Sequence, residues 1–256
     1  MLKYVGRLIT CQRAPPAPRW PELAGVERAV HFPFREMSSR ISHPQASVKL
    51  SQGLGIGYRS LLAEVSEDIP LENGTHYLLA RNGRGKTTLL KTIAGLIKTV
   101  AGNFETRGHC QFIGDEFFFD RELKPQSIFK ALIPADRRQE AFHLAEQLEL
   151  DARKEFGQLS FGNRKKVGLV VAEFRLREQE PNLLLYDEPF TGLDTPAREA
   201  IRERWEATRD RALRIISCHP DFDSMSMPSA LLISDGKIFL GGDGALTWAD
   251  FKDRLN

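Results

Sequence analysis

The stretch from Ala80 to Thr88, Ala-Arg-Asn-Gly-Arg-Gly-Lys-Thr-Thr, constrains this chain more than any other. It lies between the apolar run Tyr77-Leu78-Leu79 and a segment in which Leu89, Leu90, Ile93, Ala94 and Leu96 recur at helical spacing. A strand, a glycine-rich loop and a helix in that order hold the phosphates of a nucleotide. Backbone N–H groups of the loop converge on the anion, and the helix N-terminus adds its dipole. Lys86 supplies a point charge, and the Thr87 hydroxyl can ligate Mg²⁺. The candidate nucleotide contacts are therefore Asn82, Gly83, Arg84, Gly85, Lys86, Thr87 and Thr88. The pattern G-x-x-x-x-G-K-[ST] asks for glycine first, where this chain has Ala80. If that residue needs φ > 0, alanine costs roughly 1–2 kcal/mol.

The remainder of the chain reads as two parts. Residues 1–46 hold six of the 14 prolines and no sustained hydrophobic period. They are expected to be a flexible extension, or a stretch ahead of a true start at Met37, and to carry no chemistry. From Ser47 onward the pattern is that of a folded domain. Val48 to Leu50 and Leu61 to Val65 look like strands, with Tyr58 between them, either as a stacking platform for a planar base or as a packed aromatic. No run of about 18 apolar residues occurs, so no transmembrane helix is expected. A formal net charge of +2 is too small to argue for nucleic acid as a partner. Cys11, Cys110 and Cys218 are widely spaced and read as isolated reduced thiols.

Four further stretches carry chemistry. The three phenylalanines Phe117 to Phe119 are either core or a docking surface. Leu159-Ser160-Phe161-Gly162-Asn163 precedes a helix, and Ser160 either caps that helix or presents a second anion site. Within Asn182 to Pro189 the continuous apolar run of four, Leu183 to Tyr186, reads as a buried parallel strand, and Asp187 and Glu188 stand at its C-terminal end, where open α/β sheets bind ligands. Asp187 suits a Mg²⁺ shell, and Glu188 suits polarisation of an attacking water. His219 follows the apolar strand Arg214 to Cys218, as a structural donor or a catalytic group. Asp235-Gly236, between two apolar runs, signals a type I′ hairpin.

Taken in order, these motifs resemble the nucleotide-binding subunit of an ATP-binding cassette (ABC) transporter from about residue 47 to the end. Ala80 to Thr87 matches the Walker A loop, Leu159 to Asn163 the signature, Leu183 to Glu188 the Walker B strand with its glutamate, Gly192 to Asp194 the D-loop and His219 the switch histidine. Tyr58 falls where the family stacks adenine. The resemblance implies an α/β P-loop NTPase fold of ABC type over residues 47–256. It would have a mainly parallel core sheet, a reduced antiparallel β layer and a small helical subdomain at about 117–175.

The resemblance also implies Mg-dependent ATP hydrolysis, with Glu188 and His219 as catalytic residues. Thr87, Asp187 and Glu116 would lie at the metal, and Ser160 and Gly162 would be supplied in trans by a second ATPase subunit. It implies an integral membrane permease as partner and a cytoplasmic place on the inner face of the membrane. Compactness and the Asp-Glu-Pro-Phe-Thr-Gly-Leu-Asp run look most like the ATPase of the cytochrome c maturation system. Departures from the family pattern are Ala80, Phe161, Asn163 and Glu116, the last standing where the family places a glutamine. A non-transport ATPase acting on nucleic acid or ribosomes and a regulatory ATP-binding protein are the alternatives.

Overall fold

The apolar runs become strands of one large sheet, in a computed structural model that describes residues 10–11, 43–114, 119–218, 226–241, 246–252 and 255. Strands β1 (Thr10–Cys11), β2 (Ser47–Leu50), β3 (Gly55–Gly57), β4 (Leu61–Val65), β5 (Ile69–Glu72) and β6 (Gly74–Ala80) precede helix α1 (Lys86–Ile93). Strands β7 (Phe104–Arg107) and β8 (His109–Ile113) lead to helices α2 (Pro125–Leu132), α3 (Arg138–Gln147) and α4 (Phe161–Phe174). Then follow β9 (Asn182–Tyr186), α5 (Thr195–Ala207), β10 (Leu213–Ser217), β11 (Ser226–Met227), β12 (Ala230–Ser234), β13 (Lys237–Leu240), β14 (Leu246–Thr247) and α6 (Trp248–Lys252).

Among the described residues the main sheet has nine strands, in the order β1-β8-β9-β10-β6-β12-β13-β4-β3. Its centre is parallel: β8 pairs with β9, β9 with β10, β10 with β6 and β6 with β12. The register aligns Ile113 with Tyr186 and Ile216 with both Tyr186 and Tyr77. The C-terminal ends of four strands therefore emerge side by side, and the site residues are built on them. A separate antiparallel layer, β5-β2-β7, has three strands.

Alternation along the strands divides the core in two. Leu183 and Leu185 of β9 face α1 and the antiparallel layer, with Leu78, Ile215 and Leu231. Leu184 and Tyr186 face α4 and α5, with Tyr77, Ile216 and Leu232. In α4, Val167, Val170, Val171 and Phe174 are fully buried, as their helical spacing predicts. The β12–β13 hairpin turns through Asp235 and Gly236 at φ 48° and 70°, the positive angles a type I′ turn requires.

All described residues belong to one compact unit; residues 12–42 are not among the described residues. Two residues of the stretch read as an extension join the sheet. Thr10 and Cys11 pair antiparallel with Gln111 and Cys110, covering an edge of β8 that would otherwise present unpaired N–H and C=O groups. Phe119 is buried and meets Phe156 edge-on at 5.4 Å, so this one of the three phenylalanines is core. Glu116, Phe117, Phe118 and His219 lie outside the described residues. Among the described residues no helix is long and apolar enough to cross a membrane.

Candidate functional site

The loop after β6 turns through two glycines with positive φ, Gly83 at 75° and Gly85 at 109°. Gly85 is the N-cap of α1 and offers no side-chain cap, so the first N–H groups of the helix remain available to an anion. Ala80 does not share this conformation. Among non-glycine residues described, positive φ occurs at Glu149, Glu188 and Asp235, and Ala80 ends strand β6 with its side chain fully buried. The cost feared for alanine does not arise.

Lys86 reaches back along the loop, its Nζ donating to the Ala80 carbonyl at 3.1 Å and to Asn82 Oδ1 at 3.5 Å. Burial pulls its ammonium below the ordinary lysine value, while Glu188 and Asp187 oppose that fall. Thr87 Oγ1 donates to Asp187 Oδ2 at 2.8 Å. Ser217 Oγ donates to Asp187 Oδ1 at 2.8 Å and accepts from the Glu188 N–H at 2.7 Å. One buried hydroxyl at the end of β10 thus orients both residues of the acidic pair. Glu188 stands at φ 48°, so the chain leaves β9 sharply. Thr191 Oγ1 donates to Glu188 Oε2 at 3.4 Å, and Lys165 Nζ donates to the Glu188 carbonyl at 2.6 Å.

These groups surround a cavity of about 360 Å³ lined by Asn82, Gly83, Gly85, Lys86, Thr87, Thr88 and Glu188. Asp187 borders it through Thr87. Arg84 is not among the lining residues, and Tyr58 stands at the end of β3 with 69% of its surface exposed. Ser160 and Gly162 are also outside the cavity. Ser160 caps α4, accepting from the Asn163 N–H at 3.3 Å, and Gly162 packs against the backbone of Gly192.

The donor set suits Mg²⁺. The Thr87 hydroxyl and the Asp187 carboxylate are hard oxygen ligands held within hydrogen-bond distance of one another. Among the described residues no group of three or more His, Cys, Asp or Glu could hold a metal ion. A sparse set of this kind fits an ion that takes most of its ligands from phosphates and water.

The sequence model of the ABC transporter family matches residues 64–191, half of the chain. The chain belongs to the ABC transporter family. It is 32% identical to the cytochrome c biogenesis ATP-binding export protein CcmA of Novosphingobium aromaticivorans, over 64% of this chain and 84% of that one. It is 33% identical to the aliphatic sulfonates import ATP-binding protein SsuB 1 of Paraburkholderia xenovorans, over 73% of this chain and 58% of that one. The chain spans about three fifths of the length of several curated relatives it matches. A solved ATP-binding subunit of an ABC transporter superposes with a TM-score of 0.60 at 22% identity, covering 81% of this chain and 92% of that one. That likeness is one of fold, an α/β core with a helical part, in agreement with the expectation from sequence.

Two residues of this ABC family member escaped the sequence reading. Ser217 was a lone hydroxyl at the end of a strand whose other polar residue is Arg214, two positions before His219, a signal that a polar group was needed there. Lys165 lay in helix α4 among other cations, and nothing in its spacing pointed to the Glu188 carbonyl. Burial pushes the Cys218 thiol up to about 12, in keeping with an unreactive core cysteine.

Proposed function

We propose that this chain binds and hydrolyses MgATP and powers a separate integral membrane permease, from the cytoplasmic side, as one half of a head-to-tail dimer. The observation that carries the reading is the hydrogen-bonded series Thr87–Asp187–Ser217–Glu188, which ties the phosphate loop to the acidic pair across one cavity. Lys86 and the loop amides would bind the β- and γ-phosphates. Mg²⁺, held by Thr87 and Asp187, would supply charge neutralisation at those phosphates. Glu188 would orient the attacking water and take its proton as the oxygen bonds to the γ-phosphorus and the β–γ bridge breaks, leaving ADP and phosphate. His219 would steady the γ-phosphate, and Glu116 would border the metal. Ser160 and Gly162 would cap the γ-phosphate from the second copy, and Tyr58, exposed beside the loop, would stack on the adenine. The work of the protein is then positioning and charge neutralisation.

The relatives are named for import and for export of chemically unrelated cargo, so the permease, rather than this chain, would select what is moved. Glu188→Gln is expected to lower MgATP turnover by at least about 10²-fold while ATP still binds, measured by phosphate release and by equilibrium binding. Undiminished turnover in that variant would overturn the assignment of the base. Purification of the native protein from detergent-solubilised membranes is expected to bring an integral membrane protein with it. A chain recovered wholly without one would count against the transport role.

A further inference from the structure

One carboxylate lies where four elements of the site cross. Glu173, in the last turn of α4, is 1% exposed. Its Oε1 accepts from the Tyr186 hydroxyl at 2.6 Å, the Trp205 indole N–H at 2.8 Å and Arg214 Nε at 3.1 Å. Its Oε2 accepts from Arg214 Nη2 at 2.7 Å. Arg214, fully buried in β10, spends its other donors on Thr208: Nη1 on the carbonyl at 3.2 Å and Nη2 on Oγ1 at 2.7 Å. Burial works against the Glu173 charge, and Arg214 and Tyr186 more than offset it, so the carboxyl lies below its ordinary range.

The positions of these partners in the chain give the network its meaning. Helix α4 begins at the Ser160 cap. Tyr186 immediately precedes Asp187 and Glu188, and Arg214 is three residues before Ser217, the hydroxyl that holds both acids. Trp205 lies on α5, whose cap is Asp194, and Lys166 of α4 pairs with Asp194 at 3.3 Å. We propose that the Glu173–Arg214 pair is a positioning hub for ATP hydrolysis, locking α4 in register against β9, β10 and α5 so that the signature turn and the acidic strand end move as one body. The inference rests on the hydrolytic reading above.

Two physical arguments favour positioning over stabilisation. A buried ion pair repays its desolvation poorly, and well-packed apolar residues of similar volume are often as stable or more so, so stability alone is a weak reason for one here. Apolar contacts tolerate repacking, as those of Val167, Val170 and Phe174 would, whereas four directional hydrogen bonds to one carboxylate admit a single register. Displacement of reacting groups by about 1 Å can cost 10²-fold in rate, so register at this distance from the cavity matters to turnover.

The test is the paired apolar variant Glu173→Leu/Arg214→Met, compared with wild type in urea unfolding, ATP KM and kcat. The expected result is a folded protein with KM within about twofold of wild type and kcat lower by about tenfold or more. A folded variant with wild-type kcat overturns the hub and leaves the pair a structural feature. Should the double variant not fold, Tyr186→Phe carries the test, since it removes a single hydroxyl. It is expected to lower kcat by about threefold with KM unchanged, and an unchanged kcat overturns the proposal. A wild-type chain without MgATP turnover would overturn the hydrolytic reading itself and the hub with it, so the two failures are told apart by the wild-type control.

Discussion

Two small residues of one loop answer opposite constraints. Gly85 sits at φ 109°, and a Cβ built there would come within 3.0 Å of Leu62 Cδ2 and 3.4 Å of Ile56 Cδ1. Ala80 ends a strand outside the positive-φ region, with its methyl buried in the core on the α1 side of the sheet. Gly85→Ala is therefore expected to strain the loop and weaken ATP binding by about tenfold or more, since a positive φ costs an L-residue about 1–2 kcal/mol. Ala80→Gly, which restores the usual motif, is expected to leave ATP affinity unchanged and lower unfolding stability by roughly 0.5–1 kcal/mol through backbone entropy. Equilibrium nucleotide binding and urea titration of both variants check the pair. Tighter ATP binding by Ala80→Gly would show that the departure impairs the loop. The letter at position 80 was visible in the sequence, but whether it mattered depended on a backbone angle that only the fold supplies.

At the level of elements, the N-terminal turn of α4 and the turn before α5 are built against each other. A Cβ on Gly162 would lie 2.1 Å from the Gly192 carbonyl oxygen, backbone against backbone, and Gly192 is itself at φ 79°. Lys165 and Lys166 reinforce the contact by reaching the Glu188 carbonyl and the Asp194 carboxylate. Gly162→Ala is expected to lower unfolding stability by about 1–3 kcal/mol, because neither backbone can yield as a side chain would. Urea unfolding measures it, and a loss no greater than that of an exposed helix substitution would show that the two turns are free to part.

The elements that were legible carried either a long apolar run or a specific turn. Strands β9, β10, β12 and β13 and helix α4 announced themselves in this way. Strand β5 did not, because Pro70 demotes a strand pattern; it is tolerated there since β5 is an edge of the three-stranded layer. Strand β7 has mostly exposed residues and no alternation to read, and helix α2 is only eight residues long. Of the site, the loop and the acidic pair were readable as strings. The hydroxyl of Ser217 that joins them was not, since it reaches Asp187 across a strand pairing between residues 30 apart.

For the whole molecule, the placement of Ser160 sets the problem. It is exposed on the outside of the chain at the start of α4, and the cavity around Lys86 is lined without it. Phe161 beside it is 48% exposed, and Tyr58 after β3 is 69% exposed. On the proposed head-to-tail reading, Ser160 would meet the phosphates at the loop of another copy. A two-fold dimer of that kind would have two equivalent sites, each with a loop from one chain and the Ser160 turn of its partner. Mixing two inactive variants tests this. Lys86→Ala removes the loop charge, and Ser160→Arg places a long side chain on the exposed signature face. Each alone is expected to lose turnover by about 10²-fold or more, because both sites of each homodimer are damaged. In a mixed dimer, the Lys86 of one chain faces the Ser160 of the other, which makes one intact site and one doubly damaged site. With random exchange half of the dimers are mixed, so turnover per chain is expected to recover to about a quarter of wild type. If each site were complete within one chain, no mixture would exceed its components, and turnover on mixing would remain at the level of the inactive parents.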